Sequence, residues 1–253
     1  MHTAGTHTIE IGYESRKLGD FSTEIYSANR LGFTPGLRPI ILECPRNDRA
    51  ELHHWAKVLA VKCGLDRSQR LLTAASFEQI LKHRGDPGFC VLITDGEQIS
   101  PDLQERILMH RTDRLPRPPI FIVVTEVDPG DLKRSGAWSD VFRGYFARHW
   151  PWPGINERRR DWPQIFRATI KAIEKADGLE SQATRITTAT MEKLKGLSVS
   201  PSDGSAAIIK MAMNAYGVMT ERGDPCILPD HLPDLYRPSS RPTHNYLEAS
   251  QAS

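Results

Sequence analysis

The stretch Gly88-Phe-Cys-Val-Leu-Ile-Thr-Asp-Gly-Glu-Gln-Ile-Ser-Pro-Asp-Leu-Gln-Glu-Arg-Ile-Leu108 decides the fold class. It opens with an unbroken apolar run and turns acidic at Asp95 and Glu97. Ser100 then precedes a proline at the first position of an amphipathic pattern, which is typical of a helix start. Because an apolar run without polar alternation indicates a strand covered on both faces, the stretch predicts a buried strand followed by a helix.

Two further apolar runs, at residues 39–42 and 119–125, have the same character. Helical spacing of apolar residues fills the gaps between the runs. One such segment ends at Gly64, a predicted C-cap, and another begins at Ser76. The alternation of strands and helices predicts an α/β domain with a parallel sheet flanked by helices.

A region of different character follows this domain. Asp161 is a predicted N-cap of an amphipathic helix that ends near Gly178, and two more helical patterns follow at 187–196 and 205–219 with no strand between them. The predicted organisation is an N-terminal extension at 1–37, an α/β domain at 38–178, a small all-helical lid subdomain at 183–235 and a disordered tail at 236–253. Residues 175–182 are the predicted hinge.

The composition excludes several classes of protein. The 253 residues are 39% apolar and 25% charged, which suits a globular chain and excludes disorder. The net charge of +2 from 33 basic and 31 acidic residues is too balanced to indicate a nucleic-acid or membrane partner. No apolar run could span a bilayer, and the N-terminus has no signal-peptide pattern, so we expect a soluble cytoplasmic protein. The four cysteines form no CxxC pair, and we expect reduced thiols.

Three strings resemble one known family. They are the stretch quoted above, Gly-Ile-Asn-Glu-Arg-Arg-Arg-Asp-Trp-Pro at 154–163 and Ile-Leu-Pro-Asp-His-Leu-Pro at 227–233. In this order and spacing they resemble the AAA+ domain of bacterial activators of sigma-54 RNA polymerase. The resemblance implies an AAA+ sheet with a helical lid, ATP and Mg²⁺ as cofactors, and assembly into rings.

The family's phosphate loop falls on a segment that lacks the chemistry for phosphate. A phosphate loop needs glycines, which let consecutive N–H groups face the phosphates, and a lysine. This segment has no glycine, Pro45 has no N–H to donate, and Ala50 stands where the lysine belongs. Arg46 and Arg49 could supply positive charge in another geometry. The segment consists of Cys44, Pro45, Arg46, Asn47, Asp48, Arg49 and Ala50.

The resemblance implies that other nucleotide-handling positions are altered as well. Thr94 and Asp95 stand for the Asp-Glu pair of the Walker B segment, and Glu126 stands for a sensor asparagine. Asp95 and Glu97 would be catalytic candidates at a strand's carboxyl end, but a solvated turn is the favoured interpretation.

The positions of the trans-acting arginines hold Trp138 and Gly144, with Arg143 one residue away as a substitute or, as we favour, a surface arginine. The sigma-54-contacting Gly-Ala-Phe-Thr-Gly-Ala loop has no counterpart. The lid motif that carries a nucleotide-sensing arginine is replaced by residues 200–209.

Four further residue groups are candidates for a function. His53 and His54 are neighbours that point about 100° apart on a helix, so no metal site is expected. The arginine run 158–160 favours structural ion pairs over phosphate contact. A nucleic-acid patch built from Arg106, Arg111, Arg114 and Arg117 lacks interleaved aromatic residues. A methionine-rich lid face is a candidate for protein contact or for ordinary lid core; it comprises Met211, Met213, Tyr216 and Met219.

The leading hypothesis is therefore a catalytically inactive AAA+ homologue that regulates or assembles with a protein partner. The resemblance points to an active AAA+ paralogue or the transcription machinery as that partner, and to self-association. No cofactor is expected. The alternative is a divergent regulator that still binds ATP and Mg²⁺ through Arg46, Arg49 and Asp95, and a nucleic-acid-binding module ranks well below both.

Overall fold

The computed structural model describes residues 11–29, 38–64, 71–73, 90–109, 120–146, 148–179 and 184–232. At its centre is a five-stranded parallel sheet with the strand order β2-β3-β4-β1-β5. Because the strands are parallel, their carboxyl ends meet at one edge of the sheet. The strands are β1 (Ile40–Glu43), β2 (Leu71–Thr73), β3 (Cys90–Ile93), β4 (Ile120–Thr125) and β5 (Arg148–Pro151).

The three predicted apolar runs form the central strands β3, β4 and β1. Every residue of β3 and β4 is buried, as an uninterrupted apolar run predicts. Helices α1 (Arg16–Asn29) and α2 (Leu52–Lys62) pack on one face of the sheet, and Gly64, with φ of 83°, ends α2 as predicted. The other face is covered by α3 (Pro101–Met109), α4 (Pro129–Arg134) and α5 (Asp140–Tyr145). The predicted parallel sheet flanked by helices is confirmed.

The lid contains α6 (Trp162–Ala176), α7 (Thr188–Gly196) and α8 (Gly204–Arg222). Their inward residues form one apolar cluster. Helix α6 therefore packs within the lid, although the predicted boundary at residue 178 assigns it to the α/β domain. A parallel pair of two-residue strands, β6 (Arg185–Ile186) and β7 (Cys226–Ile227), adds a small strand element to the lid that the sequence analysis missed.

The predicted N-terminal extension contributes a helix to the core. The ring of Phe21 on α1 lies 5.8 Å from that of Trp55 on α2, and 6.3 and 6.0 Å from those of Trp150 and Trp152. Aromatic burial of this kind is a large contribution to stability. Residues 11–29 are therefore part of the folded unit.

Asp161 stands at the predicted N-cap position of α6 but does not cap it with its side chain, and several predictions lie outside the described residues. The Asp161 side chain makes no capping hydrogen bond; its carboxylate accepts one from the Ser15 hydroxyl at 2.5 Å instead. The helix predicted at Ser76, the arginines at 111, 114 and 117, and the tail at 236–253 fall outside the described ranges. Within those ranges, no helix has the length and apolar character needed to cross a membrane.

Candidate functional site

The segment at the phosphate-loop position is a short helix. A 3₁₀ helix spans Arg46–Glu51 and continues directly into α2. The Asp48 N–H donates to the Pro45 carbonyl at 2.9 Å, and the Cys44 N–H donates to the Thr125 carbonyl at 2.7 Å. These amides are engaged inside the protein, so they are not free to turn toward a polyphosphate.

The period of this helix sorts its charges onto two faces. Residues three apart lie on the same side of a 3₁₀ helix. Asp48 and Glu51 therefore share one side, which we call the inner face, and Arg46 and Arg49 share another, which we call the outer face. The inner face is buried against the lid and the N-terminal segment, and the outer face points to the ends of the neighbouring strands.

The inner face contains a buried charge cluster. Asp48, Glu51 and Arg158 are each exposed by 2% or less. The Arg158 guanidinium donates to the Glu51 carboxylate and lies 3.5 Å from Asp48. The Tyr13 hydroxyl donates to Glu51 at 2.8 Å and accepts from Arg158 at 2.7 Å. Each buried charge thus has partners, which confirms the predicted structural ion-pair role for the arginine run at Arg158.

Burial sets the protonation behaviour of this cluster. It raises the pKa of Glu51 and the pKa of Asp48 against the opposing attraction of Arg158. Burial alone would lower the pKa of Arg158, but Glu51, Tyr13 and Asp48 together raise it above its usual value. The guanidinium therefore stays charged and is the fixed centre of the cluster.

The lid is attached to the same helix. The Ser205 N–H, near the start of α8, donates to the Asp48 carboxylate at 2.6 Å, and the Ser205 hydroxyl donates to the Asn47 carbonyl at 3.1 Å. The Asn47 amide donates to the Ser202 carbonyl at 2.8 Å. Gly204 has φ of 55°, and a Cβ there would lie 3.0 Å from Asn47. A carboxylate thus occupies the amino terminus of a 19-residue helix, where the helix dipole favours negative charge.

The outer face pairs with residues that follow two neighbouring strands. Arg46 lies 2.9 Å from Glu126, just after β4, and Arg49 lies 3.0 Å from Asp95, just after β3. A second guanidinium nitrogen of Arg49 lies 3.5 Å from Glu97. The structure therefore brings together the residues that the resemblance assigned to the phosphate loop, Walker B and sensor positions. There they form pairs of opposite charge, Arg46 with Glu126 and Arg49 with Asp95.

The same residues allow a test of fit for Mg²⁺ and ATP, which the fold family implies. The Thr94 hydroxyl donates to Asp95 at 3.2 Å, and the Glu97 carboxylate accepts the Glu126 N–H. No lysine stands at position 50, and both outer-face arginines already face carboxylates. This donor set does not fit a magnesium-bound triphosphate.

Trp138 and Gly144, the residues that the resemblance places at the trans-acting arginine positions, lie in the core and on the short helix α5. Trp138 is 1% exposed, its ring lies 5.1 Å from that of Phe142, and its Nε1–H donates to the Gly96 carbonyl at 2.9 Å. Gly96 has no room for a side chain, because a Cβ there would lie 2.6 Å from Val123. Arg143 lies on α5 and is half-buried.

The methionine-rich lid face is only partly available to a partner. Met211 is 1% exposed and belongs to the lid core, which is one of the two roles predicted for this face. Tyr216 and Met219 are half-buried against the same cluster. Met213, which is 46% exposed, is the member of the set that faces solvent. The four cysteines are free thiols, as expected.

Sequence analysis missed three residues of the site. Glu51 carried a usable signal, because it lies four residues before the core residue Trp55 on one helix stripe, and a charge at that position predicts burial with a partner. Ser205 and Tyr13 carried none, since each acts through a contact with a segment distant in the chain.

The fold, but not the sequence, matches known proteins. No family model and no curated protein matches the sequence. NtrX from Brucella abortus in complex with ADP aligns with a TM-score of 0.57 and 14% identity over 91% of this chain and 56% of the NtrX chain. Its complex with ATP gives 0.59 and 13% over 90% and 58%.

A second kind of protein aligns as well. RuvB from Thermotoga maritima, a Holliday junction branch migration motor, aligns with a TM-score of 0.52 and 14% identity over 87% of this chain and 67% of the RuvB chain. The present chain thus spans a little over half of the NtrX chain that it matches. At such identities the likeness is one of fold, and this chain has the α/β AAA+ fold.

Proposed function

We propose that this protein is a catalytically inactive AAA+ homologue of the sigma-54 activator type that acts as a regulatory or assembly partner through protein contacts. The contact between the buried Asp48 carboxylate and the Ser205 N–H, at 2.6 Å, carries the proposal. It joins the segment at the phosphate-loop position to the lid through an internal anion.

Electrostatics supports this proposal. A triphosphate entering between the segment and the lid would have to displace the Asp48–Ser205 hydrogen bond and leave the Ser205 N–H without its partner. It would also approach a group of carboxylates that outnumbers the arginines present. The carboxylates belong to Asp48, Glu51, Asp95, Glu97 and Glu126, and the arginines are Arg46, Arg49 and Arg158. Like charges at this range oppose binding.

The proposed partner is a protein, either an active AAA+ paralogue or a component of the transcription machinery, and the proposed compartment is the cytoplasm. An internal anion that fastens the lid would keep the domain in one conformation without nucleotide. A partner would then meet a surface that does not change with ATP. We also propose that the protein associates with itself through the surface that the partner contacts.

The test is binding and hydrolysis of Mg²⁺–ATP by the full chain. We expect no thermal shift at millimolar Mg²⁺–ATP, whereas tenfold saturation of a real site would stabilise the fold by about 1.4 kcal/mol. We expect the wild-type protein and Asp95→Ala to give the same background hydrolysis. A wild-type rate above that of Asp95→Ala would overturn the proposal.

A divergent nucleotide-dependent regulator is the second candidate, and one observation favours it. Arg46, Arg49 and Asp95 do converge at the carboxyl edge of the sheet, where ligands bind in open α/β folds. This candidate expects a thermal shift with Mg²⁺–ATP that the double variant Arg46→Ala/Arg49→Ala abolishes. A pull-down with and without ATP separates the two further, because only this candidate expects the captured partner to depend on nucleotide.

A further inference from the structure

A second group of polar side chains lies at the carboxyl edge of the sheet, outside the site described above. Glu43 ends β1, His149 lies on β5, and Asp128 precedes α4. His149 pairs in register with Ile41, two residues before Glu43, so the side chains of His149 and Glu43 project from the same face of adjacent strands. One ligand atom from each of the three residues lies within 4.8 Å of the other two.

The distances from the His149 imidazole to the two carboxylates suit a shared ion better than hydrogen bonds. Nε2 of His149 lies 3.5 Å from Oε2 of Glu43 and 3.8 Å from Oδ2 of Asp128. Both distances exceed the range of about 2.7–3.2 Å for hydrogen bonds to nitrogen. They are close to the roughly 3.3 Å that separates two ligand atoms held tetrahedrally about 2.0 Å from one metal ion.

A hydrogen bond at the start of α4 holds the Asp128 carboxylate in place. Oδ1 of Asp128 accepts the Gly130 N–H at 2.6 Å at the start of α4, which leaves Oδ2 facing His149. In the part of the chain that the structure describes, His149 is the one basic side chain paired with Glu43 or Asp128. Even a protonated imidazole would balance only one of the two carboxylates, whereas a divalent cation bound by the neutral imidazole would balance both.

We propose that Glu43, Asp128 and His149 form a binding site for a divalent transition-metal ion, with Zn²⁺ as the best match. Imidazole nitrogen and carboxylate oxygen are both ordinary Zn²⁺ ligands, and a site with three protein ligands leaves a fourth position for water or another ligand. The imidazole disfavours Mg²⁺, which takes oxygen ligands. A bound ion would join β1, β5 and the start of α4. The site is independent of the nucleotide question.

The side chains are accessible to an ion from solvent. His149 and Glu43 are 34% and 35% exposed at the side chain, and Asp128 is 45% exposed. The sequence analysis weighed only His53 and His54 and expected no metal. It missed this group because its members are brought together by the parallel register of two strands and a loop, and not by spacing along the chain.

The test is calorimetric titration of ZnCl₂ into the full chain after removal of metal with a chelator. We expect one Zn²⁺ per chain, and Glu43→Gln, Asp128→Asn and His149→Gln should each weaken binding at least about tenfold. Asp128→Asn keeps an acceptor for the Gly130 N–H, because asparagine also caps helices well. Circular dichroism checks the fold of each variant, and if one fails to fold, the other two still decide.

Two matched variants control for adventitious binding. Cys226→Ser removes the one partly exposed thiol, and Glu192→Gln removes an exposed carboxylate of α7 that pairs with Lys195. Both should bind Zn²⁺ like the wild-type protein. The proposal is overturned if the wild-type chain binds no Zn²⁺ at about 100 µM, if the three cluster variants bind as tightly as wild type, or if Cys226→Ser abolishes binding.

Discussion

The inner and outer faces of the 3₁₀ helix Arg46–Glu51 both form carboxylate–arginine pairs, but in different surroundings. On the inner face, the side chains of Asp48, Glu51 and Arg158 are at most 2% exposed. On the outer face, Arg46 and Glu126 are 64% and 42% exposed. A buried pair that loses one member leaves an uncompensated charge, whereas an exposed pair exchanges its partner for water.

Within six residues of chain, one face of the helix is thus expected to stabilise the fold and the other to lie where a ligand could bind. The inner face connects the α/β domain, the N-terminal segment and the lid, so its charges are needed for the fold. The outer face lies at the edge of the sheet where a ligand would approach. We expect its exposed pair, Arg46–Glu126, to contribute little to folding, whereas the Arg49 side chain is more enclosed at 14% exposed. Substitutions on the inner face should therefore report on stability, and those on the outer face on ligand binding.

The largest expected effect is that of Arg158→Ala. Removing the guanidinium leaves Glu51 and Asp48 buried without their cation, and we expect a loss of about 3–5 kcal/mol in the free energy of unfolding measured with urea. Arg160→Ala is the matched control, because Arg160 belongs to the same run and is exposed. It should change stability by no more than about 0.5 kcal/mol. If Arg158→Ala lowered the free energy of unfolding no more than Arg160→Ala does, the inner face would not stabilise the fold.

Asp48 should give the next largest effect. Asp48→Ala leaves the Ser205 N–H buried without an acceptor, and we expect a loss of about 1–3 kcal/mol in urea unfolding. Asp48→Asn, which keeps an acceptor oxygen, should recover part of it. Asp203→Ala is the control, since Asp203 precedes the same helix but makes no side-chain capping hydrogen bond. An Asp203→Ala loss equal to that of Asp48→Ala would contradict the lid contact.

The pH dependence sharpens this prediction. Burial raises the pKa of Asp48 above its usual 3.8. A group with a raised pKa in the folded state contributes most below its unfolded pKa, and that contribution is lost as the pH rises through the folded pKa. The stability of the wild-type protein relative to Asp48→Asn should therefore fall between pH values below 3.8 and neutrality. A constant difference across that range would place Asp48 in solvent.

The sequence predicted the central strands, which are buried on both faces, and missed the short edge strands β2 and β5. The runs that form β1, β3 and β4 contain few polar residues, since helices cover both faces of the sheet. The edge strand β5 contains arginine, histidine and proline, and only Trp150 in it is buried, so no apolar run marks it. β2 is three residues long and offers too little pattern.

Some features of the candidate site could likewise be predicted from the sequence, and others could not. The unsuitability of residues 44–50 for phosphate follows from local chemistry, because a proline without an N–H and a missing lysine are visible in the sequence. Which carboxylate meets which arginine is not local. Glu51 and Arg158 are 107 positions apart, and Tyr13 and Arg158 are 145 apart. A single sequence identifies the charges, and only the tertiary fold determines their partners.

The smallest expected effect is on the outer face, and a double-mutant cycle of Arg46→Ala and Glu126→Gln measures it. We expect a coupling energy below about 1 kcal/mol, because water solvates both charges once they separate. The coupling should shrink further in about 1 M salt, where the screening length falls to about 3 Å. The pair Lys133–Asp140, at 3.1 Å and with side chains 50% and 76% exposed, is the matched control and should give a coupling of similar size. A coupling above about 2 kcal/mol that resists salt would be typical of a buried network. The outer face would then contribute to the fold as the inner face does, and the two faces would no longer divide stability from binding.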